Sequence, residues 1–245
     1  MKKQAYLTID DSPSEFMKQK VDYLYSKKIP AIFFCEGKNI EKYENAVIYA
    51  IMKGFIIGNH SYDHPHFSRL SLGEAFKQIK KTDKIIDVAY RKAHIKRPIK
   101  IFRFPYGDKG IKSLDYVSSL SKKVLPPEAY KKLKRLLQVT MRISKRKDKI
   151  QQYLKRLSYR QPAFKINYPW FKLLRLNKDM DVYWTFNCEE YVIKDLNKVF
   201  RNIEKVSKHK SNDIILIHDH ADTNEKFFKI IDQLQKKVSF ILPEL

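Results

Sequence analysis

Glycine, cysteine and acidic side chains are all scarce in this chain of 245 residues. Its six glycines form no glycine-rich loop of the kind that cradles phosphate groups. The two cysteines, Cys35 and Cys188, make no disulfide framework, which favours a reducing compartment, although one bridge between them stays open. No apolar run approaches the ~20 residues of a membrane-spanning helix.

Basic residues are abundant. Fifty Lys and Arg residues against 27 Asp and Glu residues give a net charge of +23. A charge of this size favours an anionic partner, such as nucleic acid, a membrane surface, or an acidic or phosphorylated substrate. The first strand-like run begins at Gln4 and leaves no room for a signal peptide. We therefore expect a cytoplasmic protein, with peripheral contact at the inner face of the membrane as an option.

Strand-like and helix-like runs alternate along most of the chain. We count about seven strand-like runs, in the order AYLTI, PAIFFC, FIIG, IKIFRF, DVYWTF, DIILIH and VSFIL. This alternation predicts βα units and a parallel sheet or barrel in a single α/β domain spanning residues 1–245. Ser12 is a candidate N-cap for the first helix, with Pro13 at its first helical position.

Residues 111–180 break the alternation. Within residues 121–160 there are fourteen Lys or Arg residues and two acids, so this stretch alone carries +12. Its apolar residues are spaced as one face of a helix, which predicts either one long basic helix or two with a break near residues 144–149. We interpret residues 111–180 as a basic, largely helical insertion within the domain.

Chemically reactive side chains follow several of the predicted strands, at the point where each strand ends. The clusters are Asp10–Asp11, His60 with His64, Arg103, Asn187 with Glu189 and Glu190, and His218 with Asp219 and His220. In a parallel β/α barrel the carboxyl ends of the strands converge on one face, which carries the active site. The sequence therefore predicts that these clusters meet.

Two imidazoles and one carboxylate can hold a divalent metal ion and leave positions open for water and substrate. Asp11, His60 and His64 supply that set, and Zn²⁺ suits it best. Asp10 lies beside Asp11, where it can act as a base on water, and Arg103 can keep it ionised. His218 arrives from another strand and can protonate a leaving group.

Each motif also has a simpler interpretation when it is taken alone. Asp10 and Asp11 can cap a helix, and His60 and His64 can be ordinary loop histidines. Their joint placement at strand ends favours the metal site. The remaining polar residues are interpreted more plainly: His66 and His220 as loop histidines, Asp63 as a turn residue or one behind the ligands, and Asp219 as orienting a neighbour or facing solvent.

Four motifs, LTIDDSPS, GNHSYDHP, FRFPYG and ILIHDH, resemble those of the polysaccharide deacetylase family in content and order. This family is also called the NodB-homology domain or carbohydrate esterase family 4. The resemblance covers about residues 4–110 and 181–245. It implies a deformed (β/α) barrel and the metal-dependent hydrolysis of an N-acyl group, usually N-acetyl, on an amino sugar.

The resemblance also implies a role for each matching residue. The roles are Asp10 as base, Asp11, His60 and His64 as metal ligands, Arg103 against the base, the Tyr106 N–H as oxyanion donor, His218 as acid, and Leu216 in the acyl pocket. We place Trp184 and the Tyr106 side chain in the same pocket. The chain departs from the family pattern at Ser12, at Phe104 and in the stretch NCEEY, where Glu190 is the candidate partner for a basic group.

These observations predict a carbohydrate N-deacetylase that uses a divalent metal, with Co²⁺, Ni²⁺ or Fe²⁺ as alternatives to Zn²⁺. The expected substrate is an amino sugar, with a polyprenyl-phosphate-linked intermediate at the membrane as the finer hypothesis. The alternative is an inactive barrel that binds nucleic acid or an anionic glycan through its basic face. Nucleic acid is the less favoured partner, because no zinc finger or RNA-binding signature occurs.

Overall fold

Runs rich in Ile, Phe and Tyr form a parallel β-sheet in the computed structural model, which describes residues 2–110, 145–204, 206 and 210–245. Six strands lie in these ranges: β1 (Lys3–Ser12), β2 (Ala31–Cys35), β3 (Ile56–Asn59), β4 (Phe186–Asn187), β5 (Asp213–His218) and β6 (Val238–Phe240). Their order is β3–β2–β1–β5–β4, and β6 also pairs with β1. Every pairing is parallel, as the alternation of strands and helices predicts.

Two stretches of chain, around Phe102 and from Asp181 onward, close this sheet into an irregular barrel. Beyond β3, Asn59 bridges Phe102, and Phe102 bridges Asp181. The chain then runs on from Asp181 into β4, which pairs with β5 on the other side of the sheet. The predicted fourth strand, IKIFRF, is thus reduced to isolated bridges, and the described residues hold six strands where about seven were expected. The expected deformed barrel is confirmed.

Eight α-helices lie in the described ranges. They are α1 (Met17–Ser26), α2 (Gly37–Lys42), α3 (Glu44–Met52), α4 (Leu72–Lys92), α5 (Lys145–Arg156), α6 (Pro169–Leu173), α7 (Leu196–Ile203) and α8 (Asn224–Lys237). The longest, α4, begins with a capping box in which Ser71 and Glu74 satisfy each other's backbone N–H groups.

The start predicted for the first helix is wrong. Ser12 ends β1, and α1 begins at Met17 without a side-chain cap. A long-range contact explains the shift, because the N–H and hydroxyl of Ser14 both donate to Asp219, at 2.8 and 2.6 Å. That contact holds the β1–α1 connection in a non-helical path.

The alternation of side chains along β1 and β5 decides which residues enter the barrel. Ala5, Leu7 and Ile9 pack with the helices in one apolar cluster, whereas Tyr6 belongs to a second cluster on the opposite face. Asp10 follows Tyr6 and Thr8 at every second position of β1 and therefore lies on the same face as Tyr6, because successive side chains of a strand point to opposite faces. The same rule separates Ile215 and Ile217 of β5 from Ile214, Leu216 and His218.

The described part of the basic segment packs into the core. Ile150 and Leu154 of α5 are fully buried beside Phe102 and Phe104. Nearby, the buried ammonium of Lys109 lies 2.7 and 2.8 Å from the carboxylates of Asp179 and Asp181. The part of the predicted insertion between residues 111 and 144 lies outside the described residues. None of the helices within the described ranges has the length and apolar character that a membrane span needs.

Both cysteines are buried and free, so the bridge left open by the sequence does not form. Cys35 closes β2, and Cys188 directly follows β4. Burial raises the pKa of each thiol well above its ordinary value, because a thiolate is poorly solvated in an apolar surrounding. Both side chains therefore behave as small apolar residues.

A buried ion pair joins the first helix to the end of β5. The Lys20 ammonium lies 2.5 Å from Asp219 Oδ1, and both side chains are fully buried. Replacing Lys20 by Met leaves the Asp219 carboxylate without its cation in the interior. We expect the free energy of unfolding in urea to fall by about 3–5 kcal/mol, the usual cost of breaking a buried pair.

Lys18→Met is the matched control on the same helix. Lys18 pairs with Asp22 at 3.2 Å, but these two side chains are 62% and 46% exposed. Removing such a surface pair is expected to change the free energy of unfolding by no more than about 0.5 kcal/mol. Equal effects of the two substitutions would contradict a dominant role for the buried pair.

Candidate active site

The three predicted metal ligands meet at one point. Asp11 Oδ1 lies 3.2 Å from His60 Nε2 and 3.0 Å from His64 Nε2. The three candidate ligand atoms all lie within 4.8 Å of one another. Asp11 comes from the end of β1 and the two histidines from the loop after β3, so the convergence of strand ends produces the cluster.

The donor atoms are oriented as a cation requires. His60 Nδ1 lies 2.9 Å from the carbonyl oxygen of Arg103. A carbonyl only accepts, so Nδ1 carries the proton and Nε2 presents its lone pair to the site. Asp11 Oδ1 is buried, and no well-aligned donor within the described residues reaches it. Two imidazole nitrogens and an unsatisfied carboxylate oxygen fit a divalent metal.

The electrostatics of the cluster keep its carboxylate ionised. Burial alone would raise the pKa of Asp11, but the imidazoles of His220, His60 and His64 outweigh it and hold the pKa well below its ordinary value. Burial likewise opposes protonation of His60, yet the charges of Asp10 and Asp11 raise the pKa of that imidazole. The site therefore attracts positive charge.

Asp10 is held beside the cluster without joining it. Its Oδ1 accepts a hydrogen bond from Arg103 Nη1 at 2.8 Å, and the same Nη1 donates to Thr8 Oγ1 at 2.8 Å. Its Oδ2 lies 3.7 Å from His60 Nε2. The arginine therefore fixes one oxygen of Asp10 and leaves the other on the side of the cluster.

Glu190 proves to be the partner of His218. Its Oε1 accepts from the His218 backbone N–H at 2.6 Å and lies 2.9 Å from His218 Nδ1. Burial lowers the pKa of His218, but the hydrogen bond and charge of Glu190 outweigh it, and the pKa is raised. Because Nδ1 faces Glu190, Nε2 is the nitrogen left to exchange a proton with a ligand.

Tyr106 lies in the turn that follows Arg103, and Trp184 packs against that turn from the stretch before β4. Tyr106 has a left-handed backbone (φ 57°), is 53% exposed, and stacks its ring on His66 at 4.0 Å. The Trp184 ring packs on Gly107, where an added Cβ would lie only 2.9 Å from the indole. Leu216 is buried on β5, two residues before His218 and on its side of the strand.

His220 differs from its sequence-based interpretation, and Asp219 matches one of the two alternatives given for it. His220, expected to be a loop histidine, places Nε2 2.7 Å from Asp11 Oδ2. Asp219 is buried and bonded to Lys20 and Ser14, so it orients its neighbours and does not face solvent. Asp63 is exposed and does not belong to the cluster of ligand atoms. The i, i+2 spacing of His218 and His220 was the available signal, since such residues project to the same side of an extended chain.

The fold and the site together define a parallel α/β barrel with a candidate hydrolytic metal centre at the carboxyl ends of its strands. The family model described as "Polysaccharide deacetylase" matches residues 1–125. The chain belongs to the polysaccharide deacetylase family.

Its relatives include the peptidoglycan-N-acetylglucosamine deacetylase of Bacillus cereus, which is 36% identical over 108 residues. That match covers 44% of this chain and 38% of the relative, so the chain spans well under half of that protein's length. The structure of peptidoglycan deacetylase PdaC from Bacillus subtilis superposes with a TM-score of 0.59 at 22% identity, covering 98% of this chain and 87% of that chain.

A second solved structure is a CE4 family pseudoenzyme from Bacillus anthracis. It superposes with a TM-score of 0.61 at 18% identity and covers 98% of this chain and 64% of that chain. At these identities the two structures establish the fold alone. Whether this chain is active therefore depends on its own site.

The contact between Glu190 and His218 predicts that the pKa of His218 changes when Glu190 is replaced. Glu190→Gln keeps an oxygen acceptor for the His218 N–H and removes the negative charge, so the pKa of His218 should fall relative to the wild type. An NMR titration of the imidazole in metal-free protein measures it. Glu225→Gln, a surface change in the first turn of α8, serves as the control. An unchanged pKa in Glu190→Gln would show that this carboxylate does not govern His218.

Proposed function

We propose that this protein is a metal-dependent N-deacetylase that removes an N-acyl group, by preference N-acetyl, from an amino sugar of a glycan or lipid-linked carbohydrate. One observation carries the proposal: the Asp10–Arg103 pair, the Asp11–His60–His64 cluster and the Glu190–His218 pair meet at one end of the barrel. The name of the Bacillus cereus relative supports an amino sugar as the substrate class.

Asp11, His60 and His64 are the residues that would hold the metal, with Zn²⁺ as the best match to their donors. When bound, such an ion polarises an amide carbonyl and makes water a nucleophile near neutral pH. Asp10, held by Arg103 through Oδ1, takes the proton of the attacking water. The backbone N–H of Tyr106 donates to the carbonyl oxygen as negative charge develops there.

His218 completes the reaction on the other side of the scissile bond. With Nδ1 held by Glu190, its Nε2–H donates a proton to the amine nitrogen as the C–N bond breaks. The raised pKa of His218 favours the protonated form that this step needs. The products are the carboxylic acid and the free amino sugar, and the proton gained by Asp10 replaces the one lost by His218 through solvent.

The finer proposal concerns where the substrate lies. A polyprenyl-phosphate-linked sugar at the cytoplasmic face of a membrane would bring anionic phosphate groups to a chain of net charge +23. The exposed side of α5 supports it, since Lys145, Lys149, Lys155 and Arg156 are exposed there and Asp148 is the exposed acid of that helix. Each such cation contributes ~1 kcal/mol near an anionic lipid surface.

Removal of the metal tests the proposed chemistry. Chelation should abolish release of acetate from N-acetylchitooligosaccharides or peptidoglycan fragments, and Zn²⁺ should restore it. Asp11→Ala and His60→Ala should lose about 4 kcal/mol of transition-state stabilisation, or about a thousandfold in rate. Asp10→Asn should lower kcat by about 10²–10⁴-fold, the range for a lost general base.

His94→Asn is the control for these variants. His94 is an exposed histidine after α4 with a left-handed backbone that Asn tolerates. It should keep full activity. Wild-type-like activity in Asp11→Ala, or activity that survives complete chelation, would refute the metal-dependent assignment. A folded, metal-loaded wild type inactive on every N-acetylated glycan would favour a binding protein.

Vesicle binding tests the membrane proposal. Replacing Lys149, Lys155 and Arg156 by Gln should weaken partition onto phosphatidylglycerol vesicles by about 3 kcal/mol, or about 100-fold, at ~1 kcal/mol per charge. Replacing Lys18, Lys229 and Lys236, which are exposed on α1 and α8, removes the same charge elsewhere and should have a much smaller effect. Equal losses in both variants, or no wild-type binding, would contradict the assignment of this surface.

A further inference from the structure

His220 occupies the side of Asp11 that faces away from the two ligand histidines. Its Nε2 lies 2.7 Å from Asp11 Oδ2, whereas Asp11 Oδ1 lies 3.0 Å from His64 Nε2 and 3.2 Å from His60 Nε2. The two oxygens of this carboxylate thus face different histidines, and Oδ2 is the one that is hydrogen-bonded. Because the carboxylate only accepts, the proton of this hydrogen bond resides on His220 Nε2.

The backbone that carries His220 is fixed from several directions. The N–H of Asp219 donates to the carbonyl of Asp10 at 2.9 Å, and the Asp219 carboxylate accepts from Lys20 and Ser14. Lys20 Nζ also reaches the carbonyl oxygen of His220 at 3.3 Å. The imidazole therefore projects from a segment tied to both β1 and α1, and its contact with Asp11 does not depend on a free loop.

Asp11 needs such a restraint. It has a left-handed backbone (φ 59°) at the irregular end of β1, where the pairing with β2 shifts register. Its side chain is the only carboxylate in the three-residue cluster found among the described residues. Without a partner on Oδ2, this carboxylate is free to rotate about its Cβ–Cγ bond and to offer either oxygen, or both, to an ion.

We propose that His220 is a positioning residue that holds Oδ2 of Asp11, so that Oδ1 alone is presented to the metal. The inference rests on the proposed function in that the metal is the one proposed above. It adds a fourth side chain to the site, acting through Asp11. His220 Nε2 contacts the oxygen remote from the two histidine nitrogens, and the cluster of converging ligand atoms does not include it.

Three substitutions at this position separate positioning from mere space filling. The amide nitrogen of Gln reaches about as far as the Nε2 of His, and it is also a donor. The amide of Asn is one methylene shorter and falls short of Asp11. His220→Gln should therefore keep the contact, whereas His220→Asn and His220→Ala lose it.

The measurement is the dissociation constant for Zn²⁺, obtained by competition with a chromophoric chelator on the full chain. His220→Ala and His220→Asn should bind Zn²⁺ about 10–100-fold more weakly, the usual effect of removing a hydrogen-bond partner of a ligand. His220→Gln should restore affinity to within about threefold of the wild type, and the ligand-field spectrum of bound Co²⁺ should match that of the wild type. Thermal unfolding of the metal-free variants checks the fold.

Each outcome bears on the inference. Unchanged Zn²⁺ affinity in His220→Ala overturns it, and so does a His220→Gln protein as weak as His220→Ala, which would make His220 a direct ligand. His94→Asn should bind Zn²⁺ as the wild type does. If wild-type protein binds Zn²⁺ and releases acetate while His220→Ala is unaffected, the inference alone fails. If wild-type protein binds no divalent metal, the proposed function itself fails.

Discussion

One buried arginine connects the parts of this site. The guanidinium of Arg103 donates to Thr8 and Asp10 of β1. It also donates to the carbonyl of Val182, in the stretch that leads from Asp181 into β4. Its own carbonyl oxygen accepts from His60 and thereby selects the nitrogen that faces the metal site. A fully buried cation is tolerated because Asp10 balances its charge, because two oxygens accept hydrogen bonds from it, and because the Phe34 ring lies 4.3 Å from the guanidinium carbon. The orientation of Asp10, the orientation of His60 and the closure of the barrel consequently all depend on the same residue.

The histidines divide into groups that are distinguished by their partners. His60 and His64 turn Nε2 toward Asp11, whereas His218 turns Nδ1 toward Glu190. For His60 and His218, a fixed acceptor on one side of the ring determines which nitrogen is left for a ligand. The proposed site is thus ordered before substrate binds, which lowers the reorganisation that the proposed reaction requires.

The sequence predicts which residues form the site better than it predicts which of them contact one another. Asp10 and His218 follow from strand alternation, because each lies at the end of an apolar run that must form a strand. The partner of Glu190 does not follow, since it depends on how the loop after β4 folds back onto β5. The late start of α1 was equally hidden, because Ser14 bonds to Asp219, 205 residues further along the chain. Local capping signals in the sequence cannot reveal a long-range hydrogen bond that displaces the predicted helix start.

The barrel departs from the expected strand count for a related reason. The run IKIFRF has the composition of a strand, yet its neighbours touch it only at single bridges. Closure of a small parallel barrel requires its strands to tilt and stagger. In this irregular barrel, the stretches that close the ring therefore form fewer backbone hydrogen bonds between strands. Arg103 lies at this point, where side-chain hydrogen bonds replace part of the ladder.

The burial of both thiols has a practical consequence for spectroscopy. Since Cys35 and Cys188 are enclosed and free, the natural chain offers no readily accessible sulfhydryl to a maleimide or spin label. Val192 is 64% exposed and follows Tyr191, whose ring packs 4.4 Å from that of His218. A cysteine introduced at residue 192 would thus carry a single reporter beside the imidazole of His218, with no labelling of the two natural cysteines.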